Sequence, residues 1–224
     1  MTTRLAENLA HVREVLASES AAFGRMPKLI AVTKTVGVPE ILQLPELGVT
    51  DIGENRVQAI REKLPEISGK FSIHMIGRLQ TNKVKYIIND VCMIHSLDRM
   101  ELALEIHRQS LKRERRMDVL IETNITGEAQ KGGVCEEELL PFLKEAEKLE
   151  GIRICGLMTM MPKDAPRDYI FERFVHMREL LARCADAAEK GETLTELSMG
   201  MSQDYDLAAR AGATMVRIGT ALWK

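Results

Sequence analysis

Short apolar runs recur along the chain, and most are followed by a longer stretch with the spacing of an amphipathic helix. Such runs are typical of strands that are buried on both faces, as in a parallel sheet. They predict eight strands, at 29–35, 49–54, 72–77, 91–96, 118–123, 153–158, 194–199 and 214–219. Helices are predicted between the strands, and a further helix over about 3–23 precedes the first of them.

Local signals predict where several of these helices begin. Asn55, Asp98 and Ser202 each stand before a helical stretch and are candidate N-cap residues, because their side chains can accept a hydrogen bond from the first turn. Pro141 lies early enough in the helix predicted over 136–149 to sit near its first turn.

Eight strands alternating with helices predict a (β/α)8 barrel, with residues 1–224 in one domain. A doubly wound open sheet is the alternative. The strand count and the length of 224 residues, close to the ~250 typical of the barrel, favour the barrel. Since chemistry in such barrels gathers at the carboxyl ends of the strands, the residues that follow each strand become the candidates.

Lys34 lies at the end of the first predicted strand. A lysine held there among apolar groups can act as an amine that forms Schiff bases. Taken alone, a lysine that simply reaches solvent is the commoner explanation. A phosphate-sugar barrel enzyme is a further alternative, in which Glu54 or Glu122 would supply the acid–base group near Lys34.

The last two strands end in residues suited to an anion. Ser198, Gly200 and Ser202 lie at or just beyond the end of strand seven, and Gly219 and Thr220 lie at the end of strand eight. The loops after these strands are the usual phosphate site of the barrel, and glycine lets the backbone approach an anion closely. If Ser202 caps the next helix, a phosphate would lie at the helix N-terminus. A serine cap and a glycine turn without any ligand remain the alternative.

Composition and charge narrow the class of partner. The net charge is −2 and the pI is about 6.3, so there is no overall basic field to attract nucleic acid or a membrane surface. The four cysteines lack metal-ligand spacing, which favours free thiols in a reducing compartment and no metal. The charged N-terminal stretch predicts neither a signal peptide nor a membrane span, so a cytoplasmic location is expected.

A lysine on strand one and a phosphate site on strands seven and eight can reach one small molecule across the barrel mouth. Pyridoxal 5'-phosphate needs both, because its aldehyde condenses with an amine and its phosphate needs an anion site. Arg217 could then point along strand eight towards the pyridine nitrogen. An arginine there is always charged and would not protonate that nitrogen.

Six motifs in order along the chain resemble the YggS/PROSC family of pyridoxal phosphate homeostasis proteins. They are AVTK at 31–34, GENRVQ at 53–58, HMIGRLQTNK at 74–83, GLMTM at 156–160, SMGMS at 198–202 and RIGT at 217–220. The resemblance implies a barrel of the alanine racemase N-terminal type with Lys34 as the Schiff-base lysine. It also implies that Ser202, Gly219 and Thr220 surround the phosphate and that Arg217 faces the pyridine nitrogen.

Other site residues follow from the same resemblance. Ser198 and Gly200 would add contacts, and either Ser198 or Ser202 could bind the phosphate. Asn55 and His74 would line the mouth, although His74 fits equally well as a hydrogen-bonded core histidine. Lys131 would approach the cofactor or act as a second lysine acceptor.

The resemblance further implies a binding protein rather than an enzyme. The chain stops four residues after Thr220, so the carboxyl-terminal domain of alanine racemases, and the tyrosine it supplies across a dimer, are expected to be absent. Tyr86, Tyr169 and Tyr205 do not match that position. We expect a monomer that holds pyridoxal phosphate and hands it on to PLP-dependent apo-enzymes without turnover. The alternative is a small PLP-dependent amino-acid racemase-like enzyme.

Overall fold

The computed structural model describes residues 4–127, 132–189 and 194–224. The strands in these ranges are β1 Lys28–Val32, β2 Asp51–Glu54, β3 Ser72–Met75, β4 Met93–Leu97, β5 Met117–Asn124, β6 Val134–Cys135, β7 Ile152–Met158, β8 Glu196–Ser198 and β9 Met215–Ile218. The α-helices are α1 Arg4–Glu19, α2 Val38–Ile41, α3 Val57–Ile67, α4 Met100–Leu111, α5 Glu136–Glu147, α6 Arg167–Ala187, α7 Tyr205–Arg210 and α8 Thr220–Trp223. Short 3-10 helices lie at Ala21–Phe23, Pro45–Leu47 and Thr81–Tyr86.

Eight of these strands form a closed parallel barrel in the order β1, β2, β3, β4, β5, β7, β8, β9. The circle closes between β9 and β1, where Ala31 lies beside Ile218. The predicted (β/α)8 barrel is therefore confirmed, and the open sheet is excluded. Among the described residues, the additional strand β6 pairs only with the end of β5, and its two residues are too few to give a periodic signal.

Alternation of side chains along the strands divides the apolar core into two parts. The larger part lies between the barrel and the helices and includes the fully buried Leu16 of α1, Ile94 of β4 and Phe174 of α6. A smaller cluster contains Ile30, Met93, Leu120, Met158 and Met215, from five different strands. This second cluster fills part of the barrel interior, as expected for a packed barrel rather than a pore.

The three predicted N-caps are wrong. The residues at the N-cap positions of α3, α4 and α7 are Arg56, Arg99 and Asp204, so Asn55, Asp98 and Ser202 lie one or two residues too early. Arg56 and Arg99 have extended backbone conformations, and none of the three makes a side-chain capping hydrogen bond. The preference of Asn, Asp and Ser for N-cap positions therefore did not predict where these three helices begin.

Other helix predictions need smaller corrections. Pro141 lies inside α5 rather than in its first turn, and the helix expected over 3–23 is divided into α1 and a 3-10 turn. The segment before β4 is a 3-10 helix. No helix of the described ranges is both long and apolar enough to cross a membrane.

Candidate functional site at the carboxyl end of the barrel

Lys34 lies two residues beyond the end of β1 and is exposed, whereas the preceding Thr33 is buried. Since Ala31 is paired with Ile218, continuing the parallel register by one residue places Val32 beside Gly219. The barrel thus places the end of β1, two residues before Lys34, beside the segment that carries Gly219 and Thr220. The amino group of Lys34 has no hydrogen-bond or ion-pair partner among the described residues.

A buried ion pair holds the peptide that precedes Lys34. The Nζ of Lys63 donates to Oε1 of Glu54 at 2.6 Å and to the carbonyl oxygen of Thr33 at 2.7 Å. The hydroxyl of Thr33 donates to the same carboxylate oxygen at 2.7 Å. Glu54, a candidate acid–base group for Lys34, is therefore engaged in supporting the Lys34 segment, and its Oε2 is buried without a partner among the described residues.

Ser202 connects the loop after β8 to the start of α8. Its Oγ accepts hydrogen bonds from the backbone N–H groups of Gly219 and Ala221, both at 3.1 Å. A hydroxyl that accepts two bonds keeps its own hydrogen for a further acceptor, such as a phosphate oxygen. Because α7 begins three residues after Ser202, Ser202 does not cap that helix as predicted, and it binds the first turn of α8 instead.

Thr220 and Gly200 occupy different parts of this rim. Thr220 is exposed, and its hydroxyl has no partner among the described residues. Gly200 is buried with φ +89°, and a Cβ at this position would lie 2.5 Å from the Cβ of Ala208. Gly200 thus lets the loop pack closely on α7, and its carbonyl accepts from the backbone of Arg217 at 3.0 Å.

Arg217 points into the barrel and is buried. Its Nη1 donates to Oγ of Ser198 at 2.5 Å, and its Nη2 donates to the carbonyl oxygen of Thr159 at 2.8 Å. Burial lowers the pKa of Arg217 to about 10, against the opposing influence of Asp204 and Glu122. The guanidinium is therefore cationic at neutral pH and is held in one orientation.

Burial raises the pKa of the two carboxyl groups that act on Arg217. For Glu122 the charge of Asp98 adds to the effect of burial, and for Asp204 a hydrogen bond from the backbone of Met201 opposes it. The bond from Met201 to Asp204 measures 2.6 Å. Arg217 is thus a buried positive charge at this end of the barrel.

His74 does not line the mouth, which corrects one of the two predictions made for it. It is buried and contacts Asp51 and His95 at 3.0 and 2.9 Å. The alternative, a hydrogen-bonded core histidine, is right. His95, which sequence reasoning missed, lies 3.0 Å from Oγ of Ser198 and could have been found from the alternation of inward-facing residues along β4.

Asn55 is half-buried at the end of β2 and lines a cavity of about 780 Å³. Arg56, Arg78, Lys83 and Arg99 line the same cavity, which the sequence did not predict. Lys131, the predicted second lysine, lies outside the described residues. No group of three or more metal-ligating side chains occurs in the described ranges.

The model of the family "Alanine racemase, N-terminal domain" matches residues 2–224. The pyridoxal phosphate homeostasis protein of Aquifex aeolicus is 40% identical over 224 residues, covering 97% of this chain and 96% of the relative. That of Pseudomonas aeruginosa is 36% identical, covering 98% and 94%. The chain belongs to the family of pyridoxal phosphate homeostasis proteins. The resemblance inferred from the six motifs is thereby confirmed.

Solved structures similar to this family member include PipY of Synechococcus elongatus PCC7942. Its structure without PLP has a TM-score of 0.89 at 31% identity, and its structure with PLP bound has 0.87 at 30%; each match covers 98% of this chain and 100% of PipY. The alanine racemase of Corynebacterium glutamicum, at 15% identity and a TM-score of 0.72, shows the fold alone and is covered over 60% of its length. The predicted alanine racemase N-terminal type of barrel is confirmed.

Proposed function

We propose that this protein binds pyridoxal 5'-phosphate at the carboxyl end of the barrel and hands it on to PLP-dependent apo-enzymes. The observation that carries the proposal is the register of β1 and β9, in which Val32, two residues before Lys34, lies beside Gly219. PipY, which has the same barrel, is described with PLP bound, and this supports the choice of ligand.

The residues of the site fit this ligand in their chemistry. When bound, pyridoxal phosphate supplies an aldehyde that condenses with a primary amine, and Lys34 offers that amine. The hydroxyls of Ser202 and Thr220 would hold the phosphate, while Gly219 uses its N–H to fix Ser202. Arg217 would hold its fixed positive charge towards the pyridine nitrogen.

Two further residues belong to the proposed site. Asn55 would line the mouth beside Lys34. Gly200 would act through the backbone, since it shapes the loop that carries Ser198 and Ser202. When the Ser198 hydroxyl donates to His95, it has no hydrogen left for a phosphate at the mouth. We therefore assign the phosphate to Ser202.

We further propose that the protein is a carrier without turnover, that residues 1–224 act as one monomeric domain, and that it works in the cytoplasm. Glu54, a candidate acid–base group for a phosphate-sugar enzyme, is held by Lys63 and Thr33, which supports a binding role. The free thiols of all four cysteines support a reducing compartment. A racemase-like enzyme is the competing function, because it would share Lys34 and the phosphate site.

Absorbance spectroscopy tests the cofactor. The purified protein incubated with pyridoxal phosphate should gain a visible absorbance band, and borohydride should fix the cofactor covalently on Lys34. Lys34→Ala should lose both, whereas Lys70→Ala, at another exposed lysine, should keep both. A protein that stays colourless, or a Lys34→Ala variant that is still labelled as strongly as the parent, would overturn the proposal.

The same preparations test for turnover and for the oligomeric state. In deuterated water, a carrier should exchange the α-hydrogen of amino acids no faster than free pyridoxal phosphate does. Saturable exchange that is lost in Lys34→Ala would favour the racemase-like enzyme. Light scattering of the eluting protein should give the mass of one chain, 25.2 kDa.

A further inference from the structure

The cavity of about 780 Å³ lies at the carboxyl ends of β2 and β3, where Asn55 and Met75 belong to its lining. Because β1 pairs with β2 along one edge and with β9 along the other, the cavity and the loop after β9 lie on different sides of β1. Its volume is within the ~300–1,000 Å³ of small-molecule sites. Asn55 is common to the cavity and to the proposed mouth, but Lys34 and Ser202 are not part of the described lining.

Positive side chains enter this cavity from three segments of the chain. Arg56 precedes α3, and Arg99 precedes α4. Arg78 and Lys83 belong to the segment that follows β3. Glu101 is the one acidic residue in the lining that the structure describes. Since arginine is always charged and lysine carries an ammonium group, the lining has an excess of positive charge that favours an anion.

The four cations differ in how far other side chains already occupy them. The guanidinium of Arg56 has no hydrogen-bond or ion-pair partner among the described residues. Arg78 is 77% exposed, and its Nε lies 3.8 Å from Oδ2 of Asp98, beyond hydrogen-bond distance. Arg99, in contrast, donates to Oδ1 of Asp98 and is held in place. Arg56 and Arg78 therefore keep guanidinium hydrogens that a ligand could accept.

The walls of the cavity are fixed by contacts within the protein. A Cβ on Gly77 would lie 2.3 Å from the carbonyl oxygen of Asn55, so a glycine is needed where the segment after β3 packs on the end of β2. Ser96 Oγ donates to the carbonyl oxygen of Gly77 at 2.7 Å, and Arg99 Nη2 donates to that of Leu79 at 3.0 Å. A ligand would thus enter a site that is already ordered, which lowers the entropic cost of binding.

The arrangement of the cations favours a phosphate group over a carboxylate. A planar carboxylate is well matched by one arginine fork, whereas a phosphate offers oxygens in several directions to cations from several segments. Amide and hydroxyl side chains occupy much of the remaining lining, and both types can donate to and accept from the hydroxyl groups of a ligand. These side chains are Asn55, Gln58, Gln80, Thr81 and Asn82.

We propose that this cavity binds a phosphate monoester with a hydroxylated body, and that Arg56 and Arg78 contact its phosphate. The HMIGRLQTNK motif, which supplies much of the lining, thereby gains a role that the binding of pyridoxal phosphate at Lys34 does not give it. The competing explanation is a set of solvated surface charges that binds nothing.

Isothermal titration calorimetry separates the two explanations, with glucose 1-phosphate and adenosine monophosphate as probes. The buffer contains no phosphate and little salt, because salt screens exposed charges. At least one ester should bind, whereas glucose and adenosine should not. Binding of glucose 1-phosphate alone would assign a sugar body to the ligand, and binding of adenosine monophosphate alone a nucleoside body. Failure of both esters to bind, or equal binding of the compounds without phosphate, would overturn the proposal.

Arginine variants test whether the ester lies in this cavity. Arg56→Gln and Arg78→Gln should each weaken its binding about tenfold or more, because each removes charged hydrogen bonds to the phosphate. Arg25→Gln removes the same charge from an exposed residue before β1, at the other end of the barrel, and should keep the parental affinity. Parental binding in both cavity variants, with loss in Ser202→Ala, would place the ester at the rim formed by Ser202 and overturn the assignment.

Labelling of the parent protein with phenylglyoxal, an arginine reagent, decides the same question without any variant. The ester that binds should protect Arg56 and Arg78 from modification, as measured by mass spectrometry, and should leave Arg25 unprotected. Equal labelling of Arg56 and Arg78 with and without the ester would contradict the proposal. Neither experiment uses pyridoxal phosphate. A protein that stays colourless with pyridoxal phosphate but binds the ester would therefore reject the carrier function and retain this site.

Discussion

At the scale of single residues, the two serines of the SMGMS motif differ in what their hydroxyl hydrogens can do. Ser198 is fully buried between Arg217 and His95. Ser202 is half-buried at the rim and accepts two backbone N–H groups. The two serines differ in their hydrogen-bond partners and not in their chemistry. For that reason both remained candidate phosphate ligands when only the sequence was considered.

This difference predicts an unequal effect on cofactor affinity. Ser202→Ala should weaken the binding of pyridoxal phosphate about tenfold or more, because a hydrogen bond to a charged group contributes roughly 1.5–3 kcal/mol. Ser198→Ala should weaken it less, since only the orientation of Arg217 is affected. Titration of each variant with pyridoxal phosphate, followed by absorbance, measures both constants. A larger loss in Ser198→Ala would exchange the roles of the two serines.

Residue identity predicts the candidate site where the site depends on strand ends, because parallel strands end at one side of the barrel. Lys34 follows β1, and Gly219 and Thr220 follow the neighbouring strand β9. Identity failed where a role depends on partners distant in sequence. Ser202 was predicted as a helix cap, and His95 was not predicted at all, because their hydrogen bonds connect residues 17 or more positions apart.

At the scale of elements, α3 supports the end of β1 through one side chain. Lys63 on α3 bonds both Glu54 at the end of β2 and the carbonyl of Thr33. The side chains of Lys63 and Glu54 are 14% and 1% exposed, so the pair is shielded from water. The position of Lys34 therefore depends on α3, whose Lys63 bonds the peptide before Lys34.

Breaking one half of this ion pair should be more harmful than removing both. Lys63→Met leaves the Glu54 carboxylate buried without its cation and should lower the free energy of unfolding by about 3–5 kcal/mol. The double variant Glu54→Gln with Lys63→Met removes both charges and should recover most of that loss. Urea unfolding followed by circular dichroism compares the two. Equal stability of the single and double variants would show that the charge of Glu54 is not what Lys63 stabilises.

The elements themselves were predictable to different extents. All eight barrel strands were found from apolar runs, because a strand covered on both faces has few polar interruptions. The helix starts at Arg56 and Arg99 were missed, since an arginine at an N-cap makes no side-chain cap and shows no preference that a sequence could reveal. Strand β6 was not predicted, because its two residues are too few to show a periodic pattern.

At the scale of the whole molecule, Asp51 links the stability of the fold to pH. Burial alone would raise the pKa of Asp51, but the hydrogen bond from His74, the charge of Lys28 and the charge of His74 outweigh it and lower the pKa below its usual value of 3.8. Its stabilising contribution is therefore fully present above that value. It is lost as the pH falls through the lower pKa of the folded protein.

Asp51→Asn should accordingly be less stable than the parent at pH 7, by about 1.5–3 kcal/mol for the loss of a charged hydrogen bond. The difference should shrink as the pH falls below 3.8, where the parent loses the same interaction. Urea midpoints of the two proteins at neutral and acidic pH give the comparison. A stability difference that is the same at both pH values would show that the charge of Asp51 contributes nothing.

The closed barrel also fixes where the single tryptophan lies. The Nε1 of Trp223 donates to the carbonyl oxygen of Val32 at 2.8 Å, two residues before Lys34. The indole is thus a natural fluorophore placed beside the proposed attachment point. A pyridoxal chromophore held on Lys34 would accept the excitation energy of the indole by non-radiative transfer and so quench its fluorescence. Binding and release of the cofactor could then be followed in real time by the loss and recovery of intrinsic fluorescence, without any label.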